Sequence, residues 1–126
     1  MKIIAPLWTR FLVGLMGLAL AVSSLVGGGF TPPGLSADSS APLSAAYIYN
    51  SRNATLGVAM LIAAGFGAPE AIAAVMVARF ILEITDRIAM APLYPTITAA
   101  NLLPPLIPAL IELFIASLML RLVFRK

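Results

Sequence analysis

The chain has 126 residues, 61% of them hydrophobic and 10% charged, with a formal net charge of +3. Ordinary globular domains are about half apolar and a quarter charged, so this composition excludes a water-soluble domain with a polar surface. Cysteine and histidine are absent, which removes disulfides, thiol nucleophiles, Cys/His zinc sites and histidine haem ligation, and no basic stripe of the kind nucleic acid requires is present.

A membrane span needs about 20 mostly apolar residues. Residues 7–26 meet that need and run into Gly27-Gly28-Gly29, a strong helix stop. Arg10 stands at the start of this span, and Trp8 beside it suits an interfacial anchor. A rival reading makes the segment a cleaved signal peptide. Lys2 and Arg10 would then be its basic region, and Ala19-Leu20-Ala21 its small-residue cleavage site. The apolar run continues well past that site, which favours a retained span. Residues 27–44 follow as a Gly/Pro/Ser-rich loop whose single charge is Asp38.

The second predicted span covers residues 45–64 and is closed by Gly65 and Gly67. Asn53-Ala54-Thr55 matches a glycosylation acceptor pattern, but its place inside a span argues against that use. Gly14 and Gly17 on the first helix, with Gly57 on the second, suit a close approach of helix backbones. Residues 65–68 read as a tight turn, so the second and third helices are expected to be antiparallel neighbours. The third helix, 69–88, opens with Pro69-Glu70, a first-turn proline and an acidic residue favoured by the helix dipole. Residues 89–103 read as a linker lying flat on the membrane surface. The fourth span, 105–124, has Pro104, Pro105 and Pro108 at or near its first turn, where missing amide donors are best tolerated.

Both ends of the chain are basic, whereas residues 27–44 and 89–103 contain no Lys or Arg. Cytoplasmic flanks are the ones enriched in these residues. The expected fold is therefore all-α: one domain, a transmembrane four-helix bundle with both termini cytoplasmic. Arg10, Arg121, Arg125 and Lys126 are its expected cytoplasmic-interface anchors.

Six further charges fall within the predicted spans: Arg52, Arg79, Glu83, Asp86, Arg87 and Glu112. A charge at the centre of a membrane helix costs roughly 2.5–3.5 kcal/mol on insertion scales, so such residues turn inward and find partners. Arg79, Glu83, Asp86 and Arg87 share one arc of about 100° on the third helix. Arg79–Glu83 and Glu83–Arg87 have the i,i+4 spacing that lets side chains touch. The opposite side, with Ala74, Val77, Ala78, Ile81 and Ile84, suits lipid or packing. Rise per residue puts Arg52 and Glu112 roughly 10 Å below the outer ends of their helices, with Arg79 somewhat deeper than Glu83. Tyr49 shares the face of Arg52. The six charges balance, as an enclosed cluster should.

Four readings of that cluster stand side by side. It locks the helices in register; it forms a pocket for an amphipathic quinone or lipid headgroup; it carries protons or ions; or it catalyses a reaction. In the pocket reading Arg52 and Arg79 supply donors, and Tyr47 or Tyr49 a phenolic edge. The small size and the lack of an inverted repeat weigh against transport.

Tyr49-Asn50-Ser51-Arg52-Asn53-Ala54-Thr55-Leu56-Gly57 resembles the Arg-Asn…Leu-Gly segment of DoxX-like small bacterial membrane proteins. Arg10 opening the first helix, Gly14, and the charged third helix around Arg79 are similar in kind. The resemblance implies a four-helix bundle in the bacterial inner membrane and an association with membrane oxidoreductases. By resemblance, Arg10, Arg52 and Arg79 are the positions carried over.

The expected function is a non-catalytic accessory or scaffold subunit of a larger inner-membrane complex, respiratory or photosynthetic. Its partners would be membrane lipids and other integral membrane proteins, without nucleic acid, bound metal or a required cofactor. The alternative is a self-contained bundle that binds a quinone-like or lipidic ligand in a polar pocket formed by Arg52, Arg79, Glu83, Asp86, Glu112 and Tyr49.

Overall fold

An apolar run preceded by a proline begins the first helix. The Pro6 carbonyl accepts hydrogen bonds from the amides of Thr9 and Arg10, both at 3.1 Å, and α1 then spans Leu7–Val26. The computed structural model describes residues 3–26, 43–90 and 99–125. Three more helices follow: α2 at Leu43–Phe66, α3 at Pro69–Met90 and α4 at Ala99–Phe124. Among the described residues there is no strand.

The turn between α2 and α3 is set by glycine chemistry. Gly67 takes φ +64 and donates its amide to Ala63 O at 3.0 Å, the left-handed cap that ends many helices. Two residues on, Pro69 opens α3, with Glu70 in its first turn. A second tie holds the turn against the start of the chain, because Ala5 N donates to Gly67 O at 2.8 Å. Arg10 completes it. Its Nε donates to Ala64 O and its Nη2 to Gly65 O, each at 2.9 Å. These are two of the carbonyls that every helix end leaves without intrahelical donors. Arg10, expected as an interfacial anchor, is the C-terminal clamp of α2.

Helix α1 packs antiparallel along α2, and α3 along α4; the contact between α2 and α3 is lighter. Gly17 and Gly57 explain the intimacy of the first pair. A Cβ on Gly17 would lie 2.7 Å from Gly57 O, and one on Gly57 would lie 2.6 Å from both Gly17 O and Ala21 N. Gly14 is different: its Cβ would meet Ala64 Cβ at an ordinary 3.7 Å. The apolar core lies toward the end of the bundle that holds the α2–α3 turn. It comprises Val13, Met60, Ala63, Ala64, Ile72, Ala73, Met76, Ile115, Ala116 and Met119. Three methionines thus serve as core filler, a role their flexible side chains suit.

The boundary of α1 coincides with the expected span, and α2 and α3 each run two residues beyond theirs. Helix α4 departs most, starting at Ala99 and not at 105. Pro104, Pro105 and Pro108 therefore sit inside a helix that they weaken by removing i→i−4 donors. Residues 91–98 of the expected surface linker lie outside the described residues.

Two stretches, Leu7–Leu25 and Leu106–Phe124, are long and apolar enough to cross a membrane, and only 28% of each is buried. A core helix of a soluble protein would be mostly buried. On α1 a continuous stripe of Leu7, Phe11, Leu15, Leu18, Val22 and Leu25 faces outward. Helices α2 and α3 hold most of the polar and ionic residues of the interior, and neither passes the same test.

Candidate functional site

Arg79 is the centre of the polar interior. It sits about 15 Å along α3 from Pro69, on the arc expected to face inward, and its side chain is 13% exposed. Its guanidinium reaches three elements at once. Nε donates to Glu112 Oε1 on α4 at 3.0 Å, Nη1 to Asn53 Oδ1 on α2 at 3.3 Å, and Nη2 to Glu83 Oε2 one turn along α3 at 3.3 Å. Arginine alone among side chains offers five donors in a rigid fork, which is what a three-way junction requires.

Asn53 is 2% exposed and Glu112 is fully buried. Sequence reasoning passed over Asn53 because it read the residue as part of a glycosylation pattern. The available signal was its position: it lies next to Arg52, one helical turn after Tyr49, inside an apolar segment. A buried amide there needs a partner.

A second tier lies further along the helices. Arg52 Nη2 donates to Asp86 Oδ2, linking α2 to α3, and the Arg52 guanidinium stands over the Tyr49 ring at 5.6 Å from its centroid. This tier is less enclosed, since the side chains of Arg52 and Asp86 are 31% and 18% exposed. The single cluster expected from the sequence is therefore two layers. Arg79, Glu83, Glu112 and Asn53 form the inner one and Arg52 and Asp86 the outer; Tyr49 joins them, under the Arg52 guanidinium and hydrogen-bonded to Asn53. The early start of α4 contributes to the separation: it places Glu112 about 20 Å from the first residue of the helix, not 10 Å. The side chains of Tyr47 and Arg87, and Lys126, lie outside the described residues. Arg121 and Arg125 are at the opposite end of the bundle.

One face of the inner layer is open. Met16, Ala19, Leu20 and Ser23 of α1, Met60 of α2, Arg79 of α3, and Pro108 and Glu112 of α4 line a cleft of about 350 Å³. It lies on the seam between α1 and α4, the two most apolar helices, and its wall is chiefly hydrocarbon. Among the described residues Glu112 uses only one of its oxygens: Oε2 is buried and has no hydrogen-bond partner there. Among the described residues no group of acidic side chains is arranged to hold a metal ion. The chemistry on offer is recognition: an apolar slot that ends at a carboxylate–guanidinium pair.

No family model, curated protein or solved structure matches this chain.

Proposed function

We propose that the chain is a multi-pass membrane protein, four helical spans with both ends cytoplasmic, and that its α1–α4 cleft holds an amphipathic quinone-like or lipidic ligand. The observation that carries this reading is Glu112 Oε2, buried without a partner at an apolar cleft. A buried carboxylate oxygen is costly unless it accepts a hydrogen bond. The ligand group that supplies one is a hydroxyl, such as that of a quinol or a lipid alcohol, with its apolar tail along Met16, Leu20 and Pro108. Catalysis by the chain itself forms no part of the proposal.

The four-span reading draws on how the two polar helices dispose of their charges. Arg79, Glu83 and Asp86 turn inward to partners, while Ile81, Ile84 and Ile88 of α3 and Ile48, Val58 and Ile62 of α2 face outward. The hydroxyls that also face outward, Ser51, Thr55 and Thr85, donate to backbone carbonyls of their own helices, so no charge among these residues is turned toward lipid, as interior charges demand. The bacterial inner membrane, and kinship with DoxX-like proteins, rest on the resemblance of residues 49–57. The accessory-subunit role draws on the exposed apolar faces of α1 and α4. Lipid covers such faces equally well, so the ligand reading takes precedence.

Purification in mild detergent, followed by mass spectrometry of what co-elutes, separates the two. The ligand reading expects a stoichiometric small molecule, lost in Ala19→Phe, which fills the cleft from an exposed position. A stoichiometric protein partner with no small molecule would transfer the case to the accessory-subunit role.

A further inference from the structure

A second cleft on the same α1–α4 seam lies at the opposite end of the bundle. It measures about 210 Å³ and is lined by Pro6 just before α1, Trp8 in its first turn, and Leu118, Met119, Leu122, Arg121 and Arg125 of α4 and its end. Leu118, Met119 and Leu122 make an apolar floor, and the two arginines and the indole form the rim. Arg121 and Arg125 are both exposed, and neither makes an ion pair or hydrogen bond among the described residues. They are i,i+4 neighbours, a spacing at which like charges repel. Every other described arginine with a visible head group is engaged: Arg10 by carbonyls, Arg52 and Arg79 by carboxylates. The remaining pair is unsatisfied, mutually repulsive and set over hydrocarbon.

We infer that this cleft is a binding site for an anionic phospholipid, its phosphodiester between Arg121 and Arg125 and an acyl chain over Leu118 and Leu122 beside Trp8. An oxyanion bridging the two guanidiniums converts their repulsion into charge-assisted hydrogen bonds. The apolar floor selects a lipid over free phosphate, because an inorganic ion leaves that surface uncovered. The indole suits the boundary between headgroup and chain, where tryptophan is enriched. The inference shares the membrane reading of α1 and α4 and is independent of the ligand at Glu112.

Trp8 is the only tryptophan in the chain, so its fluorescence reports this cleft directly. The protein is reconstituted in phosphatidylcholine vesicles carrying equal mole fractions of either brominated phosphatidylcholine or brominated phosphatidylglycerol. Stronger quenching by the anionic lipid is expected, with a preference of about fivefold per arginine. Arg121→Gln/Arg125→Gln should abolish the preference while leaving the circular dichroism spectrum and quenching by phosphatidylcholine unchanged. Millimolar inorganic phosphate should not displace the anionic lipid. Equal quenching by both lipids, a preference that survives in the double variant, or full displacement by phosphate would each overturn the site. Absence of quenching by either lipid would overturn the membrane reading itself.

Discussion

Arg79 and Arg52 look alike in sequence, each a basic residue in a hydrophobic helix, yet their surroundings rank them differently. Arg79 neutralises a fully buried carboxylate and satisfies the buried Asn53. Removing it strands both, so Arg79→Ala should cost about 3–5 kcal/mol, read as a loss of folded yield and of detergent melting temperature. Arg79→Lys should recover only part of this, because an ammonium lacks the fork that reaches three helices. Arg52 pairs with Asp86 at a less enclosed position, and Arg52→Ala should cost less than Arg79→Ala, because the carboxylate it strands is partly exposed, not fully buried like Glu112. A melting loss for Arg52→Ala equal to that of Arg79→Ala would show that the two tiers are one. Helical periodicity placed both arginines on inward faces. It carries no information on which residue of another helix stands opposite, and that is why the layering, the role of Asn53 and the clamp at Arg10 were not legible.

Among the elements, the α1–α2 pair is defined by two glycines in backbone contact. Gly57→Ala or Gly17→Ala must push the helices apart, at about 1–3 kcal/mol of overpacking strain. Gly14→Ala provides the matched control, since its added methyl meets only ordinary contact. Equal thermal stability of Gly57→Ala and Gly14→Ala would refute the crossing point. Helix boundaries were legible where the chain states them in backbone chemistry: the glycine run after α1, and Gly67 with Pro69 between α2 and α3. The start of α4 misled because three prolines in five residues imitate a helix start. Prolines are compatible with a helix interior when neighbouring groups satisfy the freed carbonyls, and that condition depends on tertiary context.

For the whole molecule, the decisive matter is how many times the chain crosses the bilayer. Only α1 and α4 declare themselves by apolarity; on the four-span proposal, α2 and α3 would cross by hiding their charges against one another. The native chain has no cysteine, so single introduced thiols report topology cleanly. Lys126→Cys should react with a membrane-impermeant maleimide only after permeabilisation, and Asp38→Cys should react in intact cells. Gly65→Cys, in the α2–α3 turn where an added Cβ meets nothing, should likewise react only after permeabilisation; its labelling in intact cells would replace the four-span bundle with a two-span arrangement in which only α1 and α4 cross.

The order in which the ionic partners occur along the chain has a consequence for biosynthesis. Asn53, Arg79 and Glu83 all precede Glu112, which among the described residues is the one fully buried carboxylate and the partner of Arg79. Until α4 forms, the guanidinium of Arg79 has one of its carboxylates missing and faces the seam that α4 will occupy. A nascent chain halted before α4 would therefore carry a poorly compensated cation, and on the four-span proposal would carry it at bilayer depth. Synthesis of the fourth helix is thus recorded in a single ion pair with the third.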